Sequence, residues 1–83
     1  MLRGLNMDRQ LLVSGLLDYA GRNHAKTDVV SVDSSGVRRR SNWGEVCGRA
    51  HQVSEALAAD GVEAGDRVAT IAWNDHRHLE AYY

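Results

Sequence analysis

The sequence predicts an α/β fold, in which helices pack over a sheet in layers. Three observations lead to this prediction. Residues 43–60 carry apolar side chains at helical spacing, residues 29–40 are typical of two strands around a tight turn, and residues 67–73 form a short apolar run rich in β-branched side chains. Because helix and strand patterns alternate along the chain, we expect residues 1–83 to be one piece of a layered α/β fold.

The composition limits the chain to one small domain at most. It has 83 residues, a formal net charge of −1 and one cysteine. The near-neutral charge creates no global field that favours nucleic acid or acidic lipid. A single cysteine excludes an internal disulfide framework and fits a reducing compartment. No apolar run approaches the roughly 18 residues that span a bilayer, and residues 1–7 lack the apolar core of a signal peptide. We therefore expect a cytoplasmic protein without a transmembrane segment.

A first helix is predicted for residues 11–24. Either Asp8 or Ser14 could cap it, so the position of its first residue stays open over several residues. Gly15 and Gly21 each lower the intrinsic helix stability by about 1 kcal/mol, so packing must hold this helix in place. Its apolar face comprises Leu12, Val13, Leu16, Leu17 and Ala20. His24 falls at its end, where the helix dipole favours a cation.

A β-hairpin is predicted next. Residues 29–32 form the first strand, with Val30 and Val32 on one face. Residues 33–36 (D-S-S-G) have the composition of a hairpin turn, and residues 37–40 form the returning strand. Because a two-stranded ribbon is not stable alone, it needs the rest of the fold.

The strongest periodic signal is the second helix, predicted from Trp43 to Asp60. Asn42 and Glu45 have the spacing of a capping box, with Asn42 at the N-cap. Gly61 supplies the left-handed residue that ends a helix. The apolar positions are spaced i, i+3, i+4, i+7: Trp43, Val46, Cys47, Ala50, Val53, Leu57 and Ala58.

The last two predicted elements are a buried strand and a third helix. Gly65-Asp66 is typical of a turn. Residues 67–73 (R-V-A-T-I-A-W) are nearly continuously apolar, which predicts a strand buried on both faces inside a parallel sheet. Asn74 or Asp75 can then cap the third helix.

Four groups of residues are candidates for chemistry, and each has a simpler interpretation. His76, His78 and Glu80 lie together at the start of the third helix, but two ligands at i and i+4 do not make a zinc site, so we favour a solvated or interface-facing first turn. The loop 61–66 lacks the GK[ST] ending of a phosphate loop, and its acidic side chains would repel an anion. The simpler interpretation is a helix stop followed by a turn.

The basic run Arg38-Arg39-Arg40 is too short to predict nucleic-acid binding, and it lacks the interleaved aromatic residues that such a site uses. Since successive strand residues point to opposite faces, a solvated edge strand protected by charge is favoured.

Cys47 lies on the apolar stripe of the second helix, which favours a buried structural thiol over a nucleophile. His51, at i+4 toward the flank of that stripe, leaves a Cys–His pair as the alternative.

The remaining candidates have no functional context. Ser14, Ser34 and Ser35 are not part of a G-x-S-x-G nucleophile elbow. Trp43 and Trp73 are interpreted as core anchors. We therefore assign no catalytic, cofactor-binding or metal-ligating residue to this chain.

Short motifs cluster between residues 61 and 83. They are G-V at 61–62, G-D-R-V-A-T at 65–70, A-W-N at 72–74 and H-R-H-L-E at 76–80, followed by Tyr82-Tyr83. Together they resemble the N-terminal part of bacterial fatty-acid–CoA ligases, which belong to the adenylate-forming (AMP-binding) superfamily. The G-D-R-V motif is shared widely in that superfamily, whereas W-N followed by H-R-H-L-E is more specific to the long- and medium-chain branch. Met7-Asp8 and Leu11-Leu12 echo the family's opening, although Gln10 stands where the family often has proline.

The resemblance implies an ATP-dependent ligase. Such an enzyme joins a fatty acid to AMP, releases pyrophosphate, and transfers the acyl group to coenzyme A, with Mg²⁺ assisting at the phosphates. The family's nucleotide loop and catalytic lysine lie downstream of the matching region, so none of its site residues corresponds to a position here. The resemblance also implies a longer parent chain, and some relatives dimerise through their N-terminal region.

Two further expectations concern the chain as a whole. The third helix has about two turns before the sequence stops at Tyr82-Tyr83, without a C-cap glycine, a basic last turn or a polar tail. We therefore expect a fragment of a longer enzyme, truncated at the C-terminus and inactive alone. The alternative is a stand-alone α/β interaction module without catalysis, in which the first helix binds a partner.

Overall fold

The computed structural model describes residues 4, 5 and 7–83. In chain order the described residues form α1 (Val13–Asn23), β1 (Asp28–Val32), β2 (Arg38–Asn42), α2 (Trp43–Ala59) and α3 (His76–Tyr82). The mixture of helices and strands agrees with the predicted α/β class. The sheet itself is a two-stranded antiparallel ribbon, in which β1 pairs with β2.

The first helix begins later than predicted and has no side-chain cap. Leu12 occupies the N-cap position in an extended conformation, and no side chain there accepts a capping hydrogen bond. The first turn is closed instead by the Gly15 amide, which donates to the Leu12 carbonyl at 3.0 Å. The prediction that Asp8 or Ser14 caps this helix is therefore wrong: Ser14 is already its second residue, and Asp8 precedes the N-cap by four positions.

The predicted hairpin is confirmed, with longer strands. Asp28 pairs with Asn42 and Val32 with Arg38, so the second strand extends two residues beyond its predicted end. The Asp33 carboxylate shapes the turn by accepting hydrogen bonds from the amides of Ser35 and Val37, at 2.9 and 3.0 Å. This local use of an aspartate side chain is why such residues are common in turns.

The inward face of β1 is not the face that carries Val30 and Val32. Val29 packs against the core, and Ser31 is half-buried beside it. Val30 and Val32, the two valines that share the predicted face, point outward and are exposed. The ribbon therefore presents an apolar surface to solvent, because its other face is the one that contacts α3.

The second helix has the predicted ends. The Asn42 side chain accepts a hydrogen bond from the Glu45 amide at 2.9 Å, which confirms the N-cap. At the other end Gly61 has a φ of 94°, a left-handed conformation that glycine adopts without steric cost. The amides of Gly61 and Val62 donate to the carbonyls of Ala58 and Leu57, respectively. This is the Schellman arrangement, and it satisfies carbonyls that would otherwise lack partners.

The buried core is small and lies between α1 and α2. Leu17, Val46 and Ala50 are buried, two of them on the predicted stripe of α2. Five partly buried residues pack around these three: Val29, Trp43, Cys47, Leu79 and Tyr83. On α1, Leu17 is covered, whereas Leu12, Val13 and Leu16 of the predicted apolar face remain exposed.

Residues 67–73 do not form the predicted strand. The segment has no regular secondary structure, and Val68, Ile71 and Trp73 are exposed by 55%, 105% and 68%. The physical reason is that an interior strand needs a hydrogen-bonding neighbour on each side. In the described part of the chain the two strands pair with each other, and neither is adjacent to this segment.

The third helix is capped by Asp75 rather than by Asn74. The Asp75 carboxylate accepts hydrogen bonds from the amides of Arg77 and His78. Before it, the predicted turn at Gly65-Asp66 is present, and the Asp66 amide donates to the Glu63 carbonyl at 3.0 Å. Helix α3 packs against α2 and against β1, so it closes the open side of the small core.

Candidate functional site

The side chains of His76 and Glu80 are buried where α3 meets the rest of the chain, with exposures of 8% and 5%. Glu80 accepts a hydrogen bond from Nε of Arg49 on α2, with 2.6 Å between Nε and Oε1. This hydrogen bond, together with the charge of Glu80, raises the pKa of Arg49. The pair therefore joins α3 to α2 and leaves the Glu80 carboxylate engaged.

His76 and His78 contact different partners. Nδ1 of His76 lies 3.4 Å from the Ser31 hydroxyl on β1, and Nε2 of His78 lies 3.2 Å from the Thr70 hydroxyl. Among the described residues, these two histidines and Glu80 do not form a group close enough to share a metal ion. The first turn of α3 is an interface with β1 and α2, one of the two simpler interpretations that we favoured.

A shallow groove of about 340 Å³ runs between β1 and the start of α3. It is lined by residues 29–32 of β1 together with Asn74, Asp75, His76 and Leu79. The buried His76 lines this groove, and its imidazole is already hydrogen-bonded to the Ser31 hydroxyl. The groove thus offers few free polar groups to orient a ligand.

The loop 61–66 forms no phosphate cradle. The Glu63 amide, which could have bound an anion, donates to the Asp66 carboxylate at 2.8 Å. Since one amide is used internally and the carboxylate itself occupies the loop, a phosphate would meet repulsion there. The interpretation as a helix stop followed by a turn is confirmed.

The basic run lies on β2, as predicted. Arg38 and Arg40 are exposed, and Arg39 between them is half-buried. Arg40 forms an exposed ion pair with Asp28 on the neighbouring strand, with 2.5 Å between Nη1 and Oδ2. The alternation matches that of a solvated strand whose arginines point to opposite faces.

The two tryptophans have different environments. Trp43 is partly buried against the core, as predicted. Trp73 is 68% exposed, so the prediction that it anchors the core is wrong for this chain. The reason is the same as for the whole segment 67–73: no strand of the described chain pairs with it to form a layer.

Cys47 agrees with the favoured interpretation, a structural thiol, and has two further polar neighbours. It is half-buried and packs against the core, as a structural thiol would. It also lies in a group with His51 on the same helix and Asp18 on α1, in which one ligand atom of each residue lies within 4.8 Å of the others. Nε2 of His51 is 3.3 Å from Oδ1 of Asp18. We call these three residues the Asp18–Cys47–His51 cluster.

Sequence reasoning did not find Asp18. Cys47 and His51 are one helical turn apart, which the sequence shows directly, whereas Asp18 is 33 positions before His51. Only the packing of α1 on α2 brings the carboxylate to the imidazole. No local pattern could have revealed this contact.

Within the described residues, no helix combines the length and the apolar character that crossing a membrane requires.

Comparison with known proteins gives consistent results over nearly the whole chain. The chain is 45% identical over 80 residues to a 3-methylmercaptopropionyl-CoA ligase of Ruegeria lacuscaerulensis. It is 48% identical over 80 residues to a medium-chain-fatty-acid–CoA ligase of Ectopseudomonas oleovorans. It is 40% identical over 77 residues to a long-chain-fatty-acid–CoA ligase of Thermus thermophilus. No protein-family model matches the chain.

These matches cover 93–96% of the chain but only 14–15% of each relative. The chain therefore spans about one seventh of the length of the curated relatives that it matches. Its similarity to fatty-acid–CoA ligases, which the motifs between residues 61 and 83 indicated, is confirmed.

Proposed function

We propose that this chain is the N-terminal part of an ATP-dependent acyl-CoA ligase of the adenylate-forming superfamily. The observation that carries the proposal is 40–48% identity to three CoA ligases over 93% or more of the chain. The reaction has two steps. A carboxylate attacks the α-phosphorus of ATP and forms an acyl adenylate as pyrophosphate leaves, and the thiol of coenzyme A then displaces AMP to form the thioester.

Within that enzyme we assign residues 1–83 a structural role. The loop 61–66 is the glycine-containing segment most like a phosphate loop, but it does not fit the phosphates of ATP. The Asp66 carboxylate accepts a hydrogen bond from the Glu63 amide and adds negative charge to the loop. We therefore derive no step of the reaction from this chain. The sites for ATP, Mg²⁺ and coenzyme A belong in this proposal to other parts of a longer protein.

The exposed apolar segment 67–73 supports this role. Val68, Ile71 and Trp73 are all more than half exposed, although their side chains would gain about 1.5–3 kcal/mol each from full burial. The backbone of the segment has no strand beside it in the described chain. In the proposed enzyme this segment becomes an interior strand, paired on both sides by strands from other parts of the protein.

The substrate in this proposal is a medium- or long-chain fatty acid. The relatives include ligases named for medium-chain acids, long-chain acids and 3-methylmercaptopropionate. Similarity to ligases with such different acyl substrates indicates that this region does not select the acid. We accordingly expect acyl selection to reside outside residues 1–83.

The test is an activity assay on the protein expressed from its complete gene. Pyrophosphate release should depend on ATP, Mg²⁺ and a carboxylic acid, and mass spectrometry should detect the acyl thioester when coenzyme A is added. A series of straight-chain acids would define the preferred length. The 83-residue chain alone serves as the matched control and should release no pyrophosphate above background. Failure of the complete protein to adenylate any acid of the series would refute the proposal.

A stand-alone interaction module is the second candidate, and the surface of α1 favours it. Leu11, Leu12, Leu16 and Tyr19 are exposed along an open groove of about 560 Å³. Such a surface could bind a partner or a second copy of the chain, and dimerisation is a further proposal for the ligase as well. If the 83-residue chain is a module, it will melt cooperatively as a monomer, independently of concentration. In the ligase proposal it is poorly folded or self-associated when isolated.

A cytoplasmic location completes the proposal. It rests on the single cysteine of the chain, which fits a reducing compartment. Fluorescence microscopy of the complete protein fused to a fluorescent tag would test it, and a membrane-bound or secreted fusion would contradict it.

A further inference from the structure

Two helices bring together three side chains of the kinds that bind transition metals. Cys47 and His51 are four positions apart on α2 and share one side of that helix, because i and i+4 are neighbours on a helical surface. Asp18 approaches them from α1. Each residue offers one ligand atom, and the three atoms lie within 4.8 Å of one another.

The thiol is held in place by close helix packing. A Cβ atom built at Gly21 would lie 2.8 Å from both Cβ and Sγ of Cys47, a distance that real Cβ atoms almost never show. Helix α1 therefore contacts the Cys47 side chain directly through the surface that glycine leaves open. The same packing places Asp18, one turn before Gly21, beside His51.

The spacing is close to that of a metal site. Bonds of about 2.0–2.3 Å in a tetrahedral zinc site place neighbouring ligand atoms roughly 3.3–3.8 Å apart. Nε2 of His51 and Oδ1 of Asp18 are already 3.3 Å apart. The side chains of His51 and Asp18 are 63% and 47% exposed, so rotation about their side-chain bonds can close the remaining separation to Sγ without disturbing the core.

We propose that the Asp18–Cys47–His51 cluster binds a zinc ion, with a water molecule in the fourth position. A thiolate, an imidazole and a carboxylate are all established zinc ligands, and the sulfur disfavours Mg²⁺ and Ca²⁺, which prefer oxygen. On binding, the Cys47 thiol releases its proton to solvent and the sulfur coordinates as thiolate. The ion links α1 to α2. This site replaces the expectation that the chain contains no metal ligand, and it does not depend on the proposed ligase activity.

The competing interpretation is an exposed ion pair between His51 and Asp18, with Cys47 as an ordinary neighbour in the core. The two interpretations differ in the thiol. If His51 and Asp18 make only their mutual contact, Cys47 binds no ion and no thiolate signal appears when metal is added. In a metal site the sulfur is bonded to the ion, and a spectroscopic signal reports that bond directly.

The experiment uses the protein expressed from its complete gene and stripped of metal with a chelator. Co²⁺ is the probe, because it occupies tetrahedral zinc sites and gives a thiolate-to-cobalt charge-transfer band in the near ultraviolet. The band should saturate at one equivalent and disappear when Zn²⁺ is added. It should be absent in Cys47→Ser, and His51→Gln and Asp18→Asn should each weaken Co²⁺ binding about 10-fold or more, as loss of a metal-supporting group does.

Matched controls lie on other parts of the chain. His78→Gln removes an imidazole that contacts Thr70, and Asp60→Asn removes a carboxylate at the C-cap of α2; both should bind Co²⁺ like the unmodified protein. If Cys47→Ser does not fold, the exposed His51→Gln and Asp18→Asn decide the question. Absence of the band in the unmodified protein, its persistence in Cys47→Ser, or unchanged affinity in both His51→Gln and Asp18→Asn would overturn the proposal.

Discussion

Two glycines on α1 should respond in opposite ways to the same substitution. Gly15 and Gly21 are both inside the helix, where alanine is intrinsically more favourable by about 0.8–1.0 kcal/mol. A Cβ at Gly15 would meet nothing within 4 Å. Gly15→Ala should therefore stabilise the protein by up to about 1 kcal/mol, since it adds helix propensity without a steric cost.

Gly21→Ala has the same gain in propensity but also a steric cost. Its Cβ would lie 2.8 Å from both Cβ and Sγ of Cys47 and 3.9 Å from the Trp43 carbonyl oxygen. Because Cβ of Cys47 is attached to the backbone of α2, it cannot swing aside, and the helices must separate. Overpacking of this kind costs about 1–3 kcal/mol. Subtraction of the propensity gain leaves a net destabilisation of up to about 2 kcal/mol.

Chemical denaturation of the protein expressed from its complete gene measures both effects, and hydrogen exchange of the α1 and α2 amides localises them. The two variants should differ by about 1–3 kcal/mol in the free energy of unfolding, because both gain the same helix propensity and only Gly21→Ala carries the overpacking cost. Adding Cys47→Ala to Gly21→Ala should recover only part of the loss, because the Cβ contact remains. Equal stabilisation by the two glycine substitutions would show that α1 does not pack on Cys47 as described.

Three further predictions concern the cap of α2, the apolar segment 67–73 and the contact between α2 and α3. Asn42→Ala removes the side-chain cap of α2 and should lower the stability of the protein by about 0.5–2 kcal/mol. The Michaelis constants for ATP, fatty acid and coenzyme A should not change. A large rise in one of those constants at an unchanged melting temperature would place α2 in a binding site. Ile71→Asp should destabilise the complete protein by about 3–5 kcal/mol, the cost of an unpaired buried charge. In the 83-residue chain alone, where Ile71 is 105% exposed, the same substitution should change the stability very little. A wild-type melting curve for the complete variant would contradict the interior strand. Glu80→Gln should weaken the contact of α3 with α2 by the same amount across pH 6–9, measured by denaturation. Because the pKa of Arg49 is raised in the folded protein, the stability that Arg49 contributes is present below its ordinary pKa and is lost only at still higher pH. A loss of stability that varied steeply with pH between 6 and 9 would assign the contact to another group.

The local elements of this fold follow from short stretches of sequence. Asn42 specifies the start of α2 by accepting a hydrogen bond from the Glu45 amide. Gly61 specifies the end of α2 through its left-handed backbone conformation. The turn at residues 33–36 is equally local, since Asp33 shapes it with its own carboxylate. Such features can be predicted because the energies that produce them do not depend on distant parts of the chain.

Interior placement could not be predicted in the same way. The apolar run at residues 67–73 has the composition of an interior strand, yet a strand exists only when neighbouring strands supply its hydrogen bonds, and the described chain supplies none. The inward face of β1 was likewise set by α3, which packs against Val29 and Ser31 and leaves Val30 and Val32 exposed. Composition specifies what a segment can bury, while the partners present determine what it does bury.

The Asp18–Cys47–His51 cluster shows the same division within a candidate site. The sequence alone places Cys47 and His51 one turn apart on a helix, because the helical repeat is a local property. The carboxylate of Asp18 joins them only because Gly21 allows α1 to approach α2 at the Cys47 side chain. Residues far apart in the sequence become neighbours through the packing of whole helices, and that packing is decided by the tertiary structure.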